Sequence, residues 1–126
     1  MFGEGDRLVL LHNPRCSKSR AAHALLEEHG EAFDTRLYLE VPLSRDELVE
    51  LQRRLGRSPH EWVRRGEDAY AGAGLDDASE AAAVLDAIAS HPILMERPIA
   101  IRADRAVVGR PPENVLSLVP SQGQGA

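Results

Sequence analysis

One stretch near the start of the chain constrains the fold more than any other. Residues 7–11 form a short apolar run that ends at the turn signal Asn13-Pro14, and a helical pattern begins at Ser17. A short, branched apolar run that stops at a turn predicts a strand buried on both faces. The single cysteine of the chain, Cys16, lies where the turn meets the helix. The stretch therefore predicts a strand, a tight turn and a helix that begins beside a thiol.

The start of a helix is a chemically favourable place for a reactive cysteine. Free backbone N–H groups and the positive end of the helix dipole favour a thiolate over a thiol, and the same groups can hold an oxyanion. Lys18 and Arg20 add positive charge within one turn. His12 can donate to the thiolate or orient it, and the Ser19 hydroxyl can donate to the sulfur. We predict catalytic roles for Cys16, His12 and Ser19, and an anion contact for Arg20.

The order of the remaining patterns predicts an α/β fold. A parallel βαβ unit, a block of helices and an antiparallel ββα unit follow one another, which is the arrangement of a thioredoxin-like fold with a mixed four-stranded sheet. Between the first two strands a helix runs from Ser17 to a C-cap at Gly30, and its His23 reads as a surface residue. The other predicted strands and the last helix cover residues 33–39, 99–102, 106–109 and 114–119.

The block between the two halves of the sheet is predicted to be a helical insert over about residues 44–90. Ser44 with Glu47 three residues later matches a capping box, and Gly56 ends that helix. We expect a single domain over residues 1–119 and a flexible tail over residues 120–126. Two further helices are predicted, one over residues 58–63 and one that begins at Asp77 or Ser79.

The composition argues against several classes of function. A formal net charge of −5 and only 4% aromatic residues disfavour nucleic-acid binding. No apolar run approaches the roughly 20 residues of a membrane span, and the first residues lack a signal pattern. A lone cysteine cannot form an internal disulfide, and no Cys/His spacing indicates a metal site. We expect a cytoplasmic enzyme that binds neither membrane nor nucleic acid and has no tightly bound cofactor.

The cysteine stretch resembles the active-site loop of the glutaredoxin-dependent arsenate reductase family. The resemblance covers roughly residues 7–119, with further matches at family-like spacing. The matching motifs are His12-Asn13-Pro14-Arg15-Cys16-Ser17-Lys18-Ser19-Arg20, Tyr38-Leu39-Glu40, Arg45-Asp46-Glu47-Leu48, His91-Pro92-Ile93-Leu94, Arg97-Pro98-Ile99 and Gly109-Arg110-Pro111-Pro112.

The resemblance implies a thioredoxin-like fold and an oxidoreductase that acts in arsenical resistance. The cysteine attacks arsenate, glutathione as co-substrate displaces the bound intermediate, glutaredoxin removes the glutathione, and arsenite leaves. Three arginines hold the anion in that family, and by position they match Arg64, Arg97 and Arg110. Arg65 is the alternative to Arg64 because the two are adjacent. A cis peptide bond at Arg97-Pro98 would fit a tight approach of this segment to Cys16.

The chain departs from the family in its first loop, where Ser17-Lys18 replaces the Gly-Thr of members best known for arsenate resistance. Two other readings therefore stay open: a non-enzymatic, redox-linked regulatory or interaction protein, and a glutathione-dependent thiol reductase with another substrate. Regulators of this superfamily carry Cys-x-x-Cys, whereas this chain has Ser19 at the second position. A cysteine phosphatase is disfavoured because its loop requires arginine where Ala22 stands.

Overall fold

Four strands form one mixed sheet in a computed structural model that describes residue 2 and residues 5–120. The order across the sheet is β2-β1-β3-β4; β1 and β2 are parallel, whereas β3 is antiparallel to β1 and to β4. The predicted α/β architecture with a mixed four-stranded sheet is confirmed. The strands are β1 (Leu8–His12), β2 (Phe33–Leu37), β3 (Ile99–Arg102) and β4 (Arg105–Val108).

β1 lies in the interior of the sheet, and all of its residues are buried. Side chains alternate between the two faces of a strand, so Leu8 and Leu10 share one face while Val9 and Leu11 share the other. Burial of both pairs confirms the prediction of a strand covered on both faces. The Leu8 and Leu10 face packs against helix α1 (Ser17–Glu28) and the C-terminal 3₁₀ segment Pro112–Leu118. The buried members of this core are Leu8, Leu10, Ala22, Leu26, Ala100, Val115 and Leu118.

The chain divides into two units, one formed by Met1–Leu37 with Arg97–Ala126 and the other by Tyr38–Glu96. The second unit is helical and contains α2 (Arg45–Leu55), α3 (Asp68–Gly72) and α4 (Ala81–Ser90). Short 3₁₀ segments at Pro59–Glu61 and Pro92–Leu94 complete it. Its buried side chains include Leu48 and Leu51 from α2 and Val84, Leu85 and Ile88 from α4.

Local signals account for the ends of α2. The Ser44 Oγ accepts the Glu47 N–H at 3.1 Å and Glu47 Oε1 accepts the Ser44 N–H at 2.9 Å, so the predicted capping box is confirmed. Gly56 follows the helix with a φ of 66°, a left-handed conformation that glycine adopts without a steric penalty. Arg45 Nε then bonds Asp86 Oδ1 at 2.6 Å and joins α2 to α4.

Several predicted boundaries were wrong, each for a local reason. α4 begins at Ala81 rather than at Asp77 or Ser79, because Ser79 Oγ accepts the Asp76 N–H and Asp76 Oδ1 accepts the Ala78 N–H in a separate turn. β2 ends at Leu37 rather than at residue 39, because Leu37 is paired with His12, the last residue of β1. β4 covers residues 105–108 rather than 106–109, and the helices predicted over 58–63 and 114–119 are 3₁₀ segments that open on a proline.

The predicted tail over residues 120–126 lies outside the described residues apart from Pro120. Over the residues that are described, no helix combines the length and apolar character needed to cross a bilayer.

Candidate active site

Cys16 occupies the N-cap position of α1, with extended backbone angles of φ −97° and ψ 124°. Its carbonyl accepts the Arg20 N–H at 3.0 Å, and its own N–H donates to the Asn13 carbonyl at 3.0 Å. The thiol makes no capping hydrogen bond to any residue that the structure describes, and 9% of the residue is exposed. The N–H groups of the first turn have no partner within the helix, so the sulfur lies beside free donors.

The loop before Cys16 is fixed by side-chain contacts to its backbone. Asn13 Oδ1 accepts the Arg15 N–H at 3.0 Å. Arg20 Nη1, from the first turn of α1, donates to the Pro14 carbonyl at 2.9 Å. The structure therefore places the predicted anion contact Arg20 against the loop that precedes the thiol.

His12 and Ser19 meet inside the protein. His12 Nδ1 and Ser19 Oγ lie 2.6 Å apart, and Ser19 Oγ also accepts the Asn13 N–H at 3.0 Å. Ser19 is fully buried and His12 is 9% exposed. Burial lowers the pKa of His12 from its ordinary value, and the neighbouring positive charges of His23 and Arg20 lower it further. The Ser19 hydroxyl is thus used by His12 and Asn13, whereas the sequence predicts a bond from it to the Cys16 sulfur.

Strand register brings three loop segments to one end of the sheet. β1 ends at His12, and Leu11 is paired with Ile99, the first residue of β3. Ile99 is in turn paired with Val108, the last residue of β4. The Cys16 loop, the Arg97-Pro98 segment and the Gly109-Arg110 segment therefore leave the sheet at the same end, as the predicted topology requires.

The Arg97 guanidinium is suited to binding a ligand. Its Nε and Nη1 atoms are buried and have no hydrogen-bond partner among the residues that the structure describes. A buried donor without a partner costs about 1–3 kcal/mol, so such groups are rare unless a ligand uses them. The peptide bond at Arg97-Pro98, whose isomer the sequence left open, is cis, and Arg110-Pro111 is also cis.

Arg110 is tied to the Arg97 segment through the backbone. Its Nη1 donates to the Arg97 carbonyl at 3.3 Å, and the Gly109 N–H donates to the Pro98 carbonyl at 2.8 Å. Asn114 Nδ2 donates to the Arg110 carbonyl at 3.3 Å. In the sequence, only the position of Asn114 two residues after a Pro-Pro pair marks it.

Gly109 lies where these segments approach most closely. A Cβ atom at this position would be 2.8 Å from Pro98 Cγ and 3.0 Å from Val115 Cγ1. Only glycine therefore allows the end of β4 to pack directly on the residue that follows Arg97.

Arg64, the third predicted anion ligand, belongs to the helical unit and already has acidic partners. Its Nη1 donates to Glu67 Oε2, and its Nε lies 3.7 Å from Glu96 Oε1. Its backbone N–H donates to the Leu94 carbonyl at 2.6 Å. The alternative, Arg65, is more exposed and pairs with Asp77 at 2.8 Å. Arg64 is the more firmly positioned of the two.

No cluster of three or more metal-ligating side chains occurs in the described part of the chain.

His23, predicted to be a surface residue, is half-buried instead, and its ring centroid lies 5.1 Å from that of His12. It stands one helical turn after Ser19 on the same face of α1, and that spacing was the available signal.

The chain is similar to known proteins over most of its length. A family model described as the ArsC family matches residues 11–118. The chain is 46% identical over 114 residues to an arsenate reductase of Neisseria meningitidis serogroup A, covering 89% of this chain and 97% of that protein. It is 44% identical over 115 residues to the uncharacterized protein YfgD of Escherichia coli K12, covering 90% of this chain and 97% of that one.

Among solved structures, an arsenate reductase from Vibrio cholerae superposes with a TM-score of 0.85 at 40% identity, covering 92% of this chain and 100% of that one. The thioredoxin-like fold predicted from the order of elements is confirmed by this likeness. The family match covers the cysteine loop and all three predicted arginines. The chain belongs to the ArsC family.

Proposed function

We propose that this protein is an arsenate reductase that converts arsenate to arsenite at Cys16. The observation that supports the proposal is that the segments of Cys16, Arg97 and Arg110 leave the sheet at the same end. A thiol at a helix start provides the nucleophile, and two buried guanidinium N–H groups that have no partner among the described residues provide donors for a tetrahedral anion. The relatives named arsenate reductase support the choice of arsenate.

The chemistry needs two thiol reductants from outside the chain. The Cys16 thiolate attacks arsenic, an As–S bond forms, and an arsenate oxygen leaves as water. Glutathione then forms a second As–S bond as another oxygen leaves as water, and a glutaredoxin thiol attacks the glutathione sulfur. That attack forms a glutaredoxin–glutathione mixed disulfide, and the electron pair of the broken As–S bond reduces arsenic(V) to arsenic(III). Water then breaks the remaining bond between arsenic and Cys16, which releases arsenite and restores the thiol. Because Cys16 is the only cysteine, an internal disulfide cannot supply these electrons.

The arginines have distinct parts in this proposal. Arg97 binds the anion through Nε and Nη1, and Arg110 adds charge at the same sheet end. Arg64 contributes the third guanidinium. Donors already aimed at the anion also stabilise the charge that develops during the displacement, which is where such groups have their largest effect on rate.

A coupled assay tests the proposal. Arsenate-dependent oxidation of NADPH is followed with glutathione, glutathione reductase and glutaredoxin, and we expect activity in the wild-type protein and none in Cys16→Ser. Glu28→Gln, an exposed change at the other end of α1, is the control and keeps most of the activity. Full activity in Cys16→Ser would contradict the proposal, and full activity without glutaredoxin would remove that partner from it.

A further inference from the structure

His12 is enclosed between a hydroxyl and a second imidazole. On one side its Nδ1 lies 2.6 Å from Ser19 Oγ. On the other side the ring of His23 lies 5.1 Å away between centroids, tilted by 32°. The Phe33 ring lies 5.1 Å from that of His23 in an edge-to-face arrangement. The ring of His23 on α1 thus contacts the rings of His12 on β1 and Phe33 on β2.

The hydrogen bonds of Ser19 determine which form of His12 fits the site. Ser19 Oγ already accepts the Asn13 N–H at 3.0 Å. If His12 also donated from Nδ1, the Ser19 hydroxyl hydrogen would have no acceptor in the described part of the chain, although the residue is fully buried. If His12 Nδ1 is unprotonated, the hydroxyl donates to it and every group is satisfied. The geometry therefore fits a neutral His12 with its hydrogen on Nε2.

His23 connects this arrangement to the solvent. Its Nδ1 lies 3.4 Å from Glu27 Oε1, one helical turn further along α1. The His23 side chain is 30% exposed and that of Glu27 is 64% exposed. Glu27 therefore fixes the position of the His23 ring. After burial, which is the largest cause, a positive charge on His23 lowers the pKa of the stacked His12.

The apolar neighbours of His12 and the cation Arg20 act in the same direction as His23. In the sheet, His12 is paired with the apolar Leu37 of β2, and the β3 residues paired with β1 are Ile99, Ala100 and Ile101. On α1, the charged neighbours are Arg20 and His23. The Cys16 thiol, Arg97 and Arg110 lie at the same end of the sheet. No carboxylate within the described residues pairs with His12, so no acidic partner there offsets the effect of His23.

We propose that His23 is a positioning residue for His12: the His23 ring, held by Glu27, stacks on His12 and keeps it in the neutral form whose Nδ1 accepts the Ser19 hydroxyl. That hydroxyl fixes the Asn13 N–H at the start of the loop that presents Cys16. The inference concerns the same site as the proposed function. Its primary test, however, needs no arsenate.

Nitrogen-detected NMR of the histidine rings tests the proposal directly. In the wild-type protein at pH 7 we expect His12 to be neutral with its hydrogen on Nε2. In His23→Phe the ring is kept and the charge is removed, so the His12 midpoint rises by about half a pH unit. His29→Phe, at the end of the same helix, is the matched control and leaves His12 unchanged.

Glu27→Gln provides a second variant on an exposed side chain that does not contribute to the core. It removes the carboxylate that holds the His23 ring and shifts the His12 midpoint in the same direction as His23→Phe, by less. The rate of Cys16 alkylation is measured against pH in parallel. The pH at which this rate falls on the acid side moves with the His12 midpoint. His12 with its hydrogen on Nδ1 at pH 7, or an unchanged midpoint in both variants, overturns the proposal. A protein that passes these tests but reduces no arsenate refutes the proposed function and leaves this inference intact.

Discussion

Arg97 in the sheet unit and Arg64 in the helical unit are predicted to bind the same anion, yet their guanidinium groups have different surroundings. Arg97 buries two nitrogen atoms that have no partner in the described part of the chain. Arg64 places its nitrogen atoms against Glu67 and Glu96. The free donors of Arg97 weaken the fold until an anion binds, whereas the acidic partners of Arg64 support the fold and compete with an anion. The Arg97 guanidinium is therefore suited to binding an anion, whereas the Arg64 guanidinium is held by acidic side chains of its own unit.

The largest expected effect comes from Arg97→Met. Loss of a donor aimed at the reacting anion costs roughly 10²- to 10³-fold in kcat/KM for arsenate. The free energy of unfolding stays the same or rises by about 1 kcal/mol, because buried donors without partners are removed. The coupled assay and urea unfolding measure the two quantities.

Arg105→Met, an exposed change at the opposite end of the β3–β4 hairpin, is the matched control and leaves both quantities near their wild-type values. A parallel loss of activity and stability in Arg97→Met would contradict the contrast with Arg64.

Arg64→Met is expected to have a mixed effect. It leaves Glu67 and Glu96 without their cation, so unfolding becomes easier by about 1 kcal/mol, the upper end for a partly exposed pair. We expect kcat/KM for arsenate to fall about tenfold, less than in Arg97→Met, because the Arg64 donors are shared with carboxylates. Arg65→Met is the control for the neighbouring position. Unchanged stability in Arg64→Met would remove the structural half of the comparison.

Glu67→Gln sharpens the comparison in the opposite direction. The change keeps the shape of the side chain and removes a negative charge that competes with the incoming anion for Arg64. We therefore expect the KM for arsenate to fall by about twofold to fivefold with little change in kcat. A higher KM would mean that the carboxylate orients Arg64 for binding instead of competing for it.

The smallest expected effect concerns Glu50, where the pairing is inverted and one carboxylate lies between Arg53 and Arg54. The hydrogen bonds from Arg53 and then Arg54 lower the pKa of Glu50 to about 2. Because the pKa is lower in the folded state, the stabilisation is present above about pH 4.5 and is lost as the pH falls towards 2. The melting temperature of Glu50→Gln should fall slightly less steeply at acid pH than that of the wild-type protein. The same fall in both proteins would contradict this.

Residues whose roles depend on neighbours in the chain could be predicted from the sequence. The strand before Cys16, the helix after it and the capping box at Ser44 all follow from short patterns. The placement of Cys16 and Arg97 at one sheet end needed only the order of the strands. The same short patterns gave a wrong helix start at Ser79, because the Ser79 hydroxyl closes a turn with Asp76 instead of capping a helix.

Partners far apart in the chain could not be predicted in this way. Nothing in the sequence around Arg64 shows that Glu96, more than thirty residues later, lies against it. The hydroxyl of Ser19 had two candidate acceptors within reach, a sulfur and an imidazole, and only the fold decides between them. A second histidine one turn along the helix reads as an exposed polar residue until the rings are seen to stack.

The close contact at Gly109 gives an experimenter a way to adjust the site without altering any charge. A methyl group there would press on Pro98, and Pro98 is bonded to Arg97. Gly109→Ala would therefore shift the Arg97 guanidinium by a fraction of an ångström without adding or removing any titratable group. The pair of proteins would separate how much of the rate depends on the charge of Arg97 and how much depends on its exact aim.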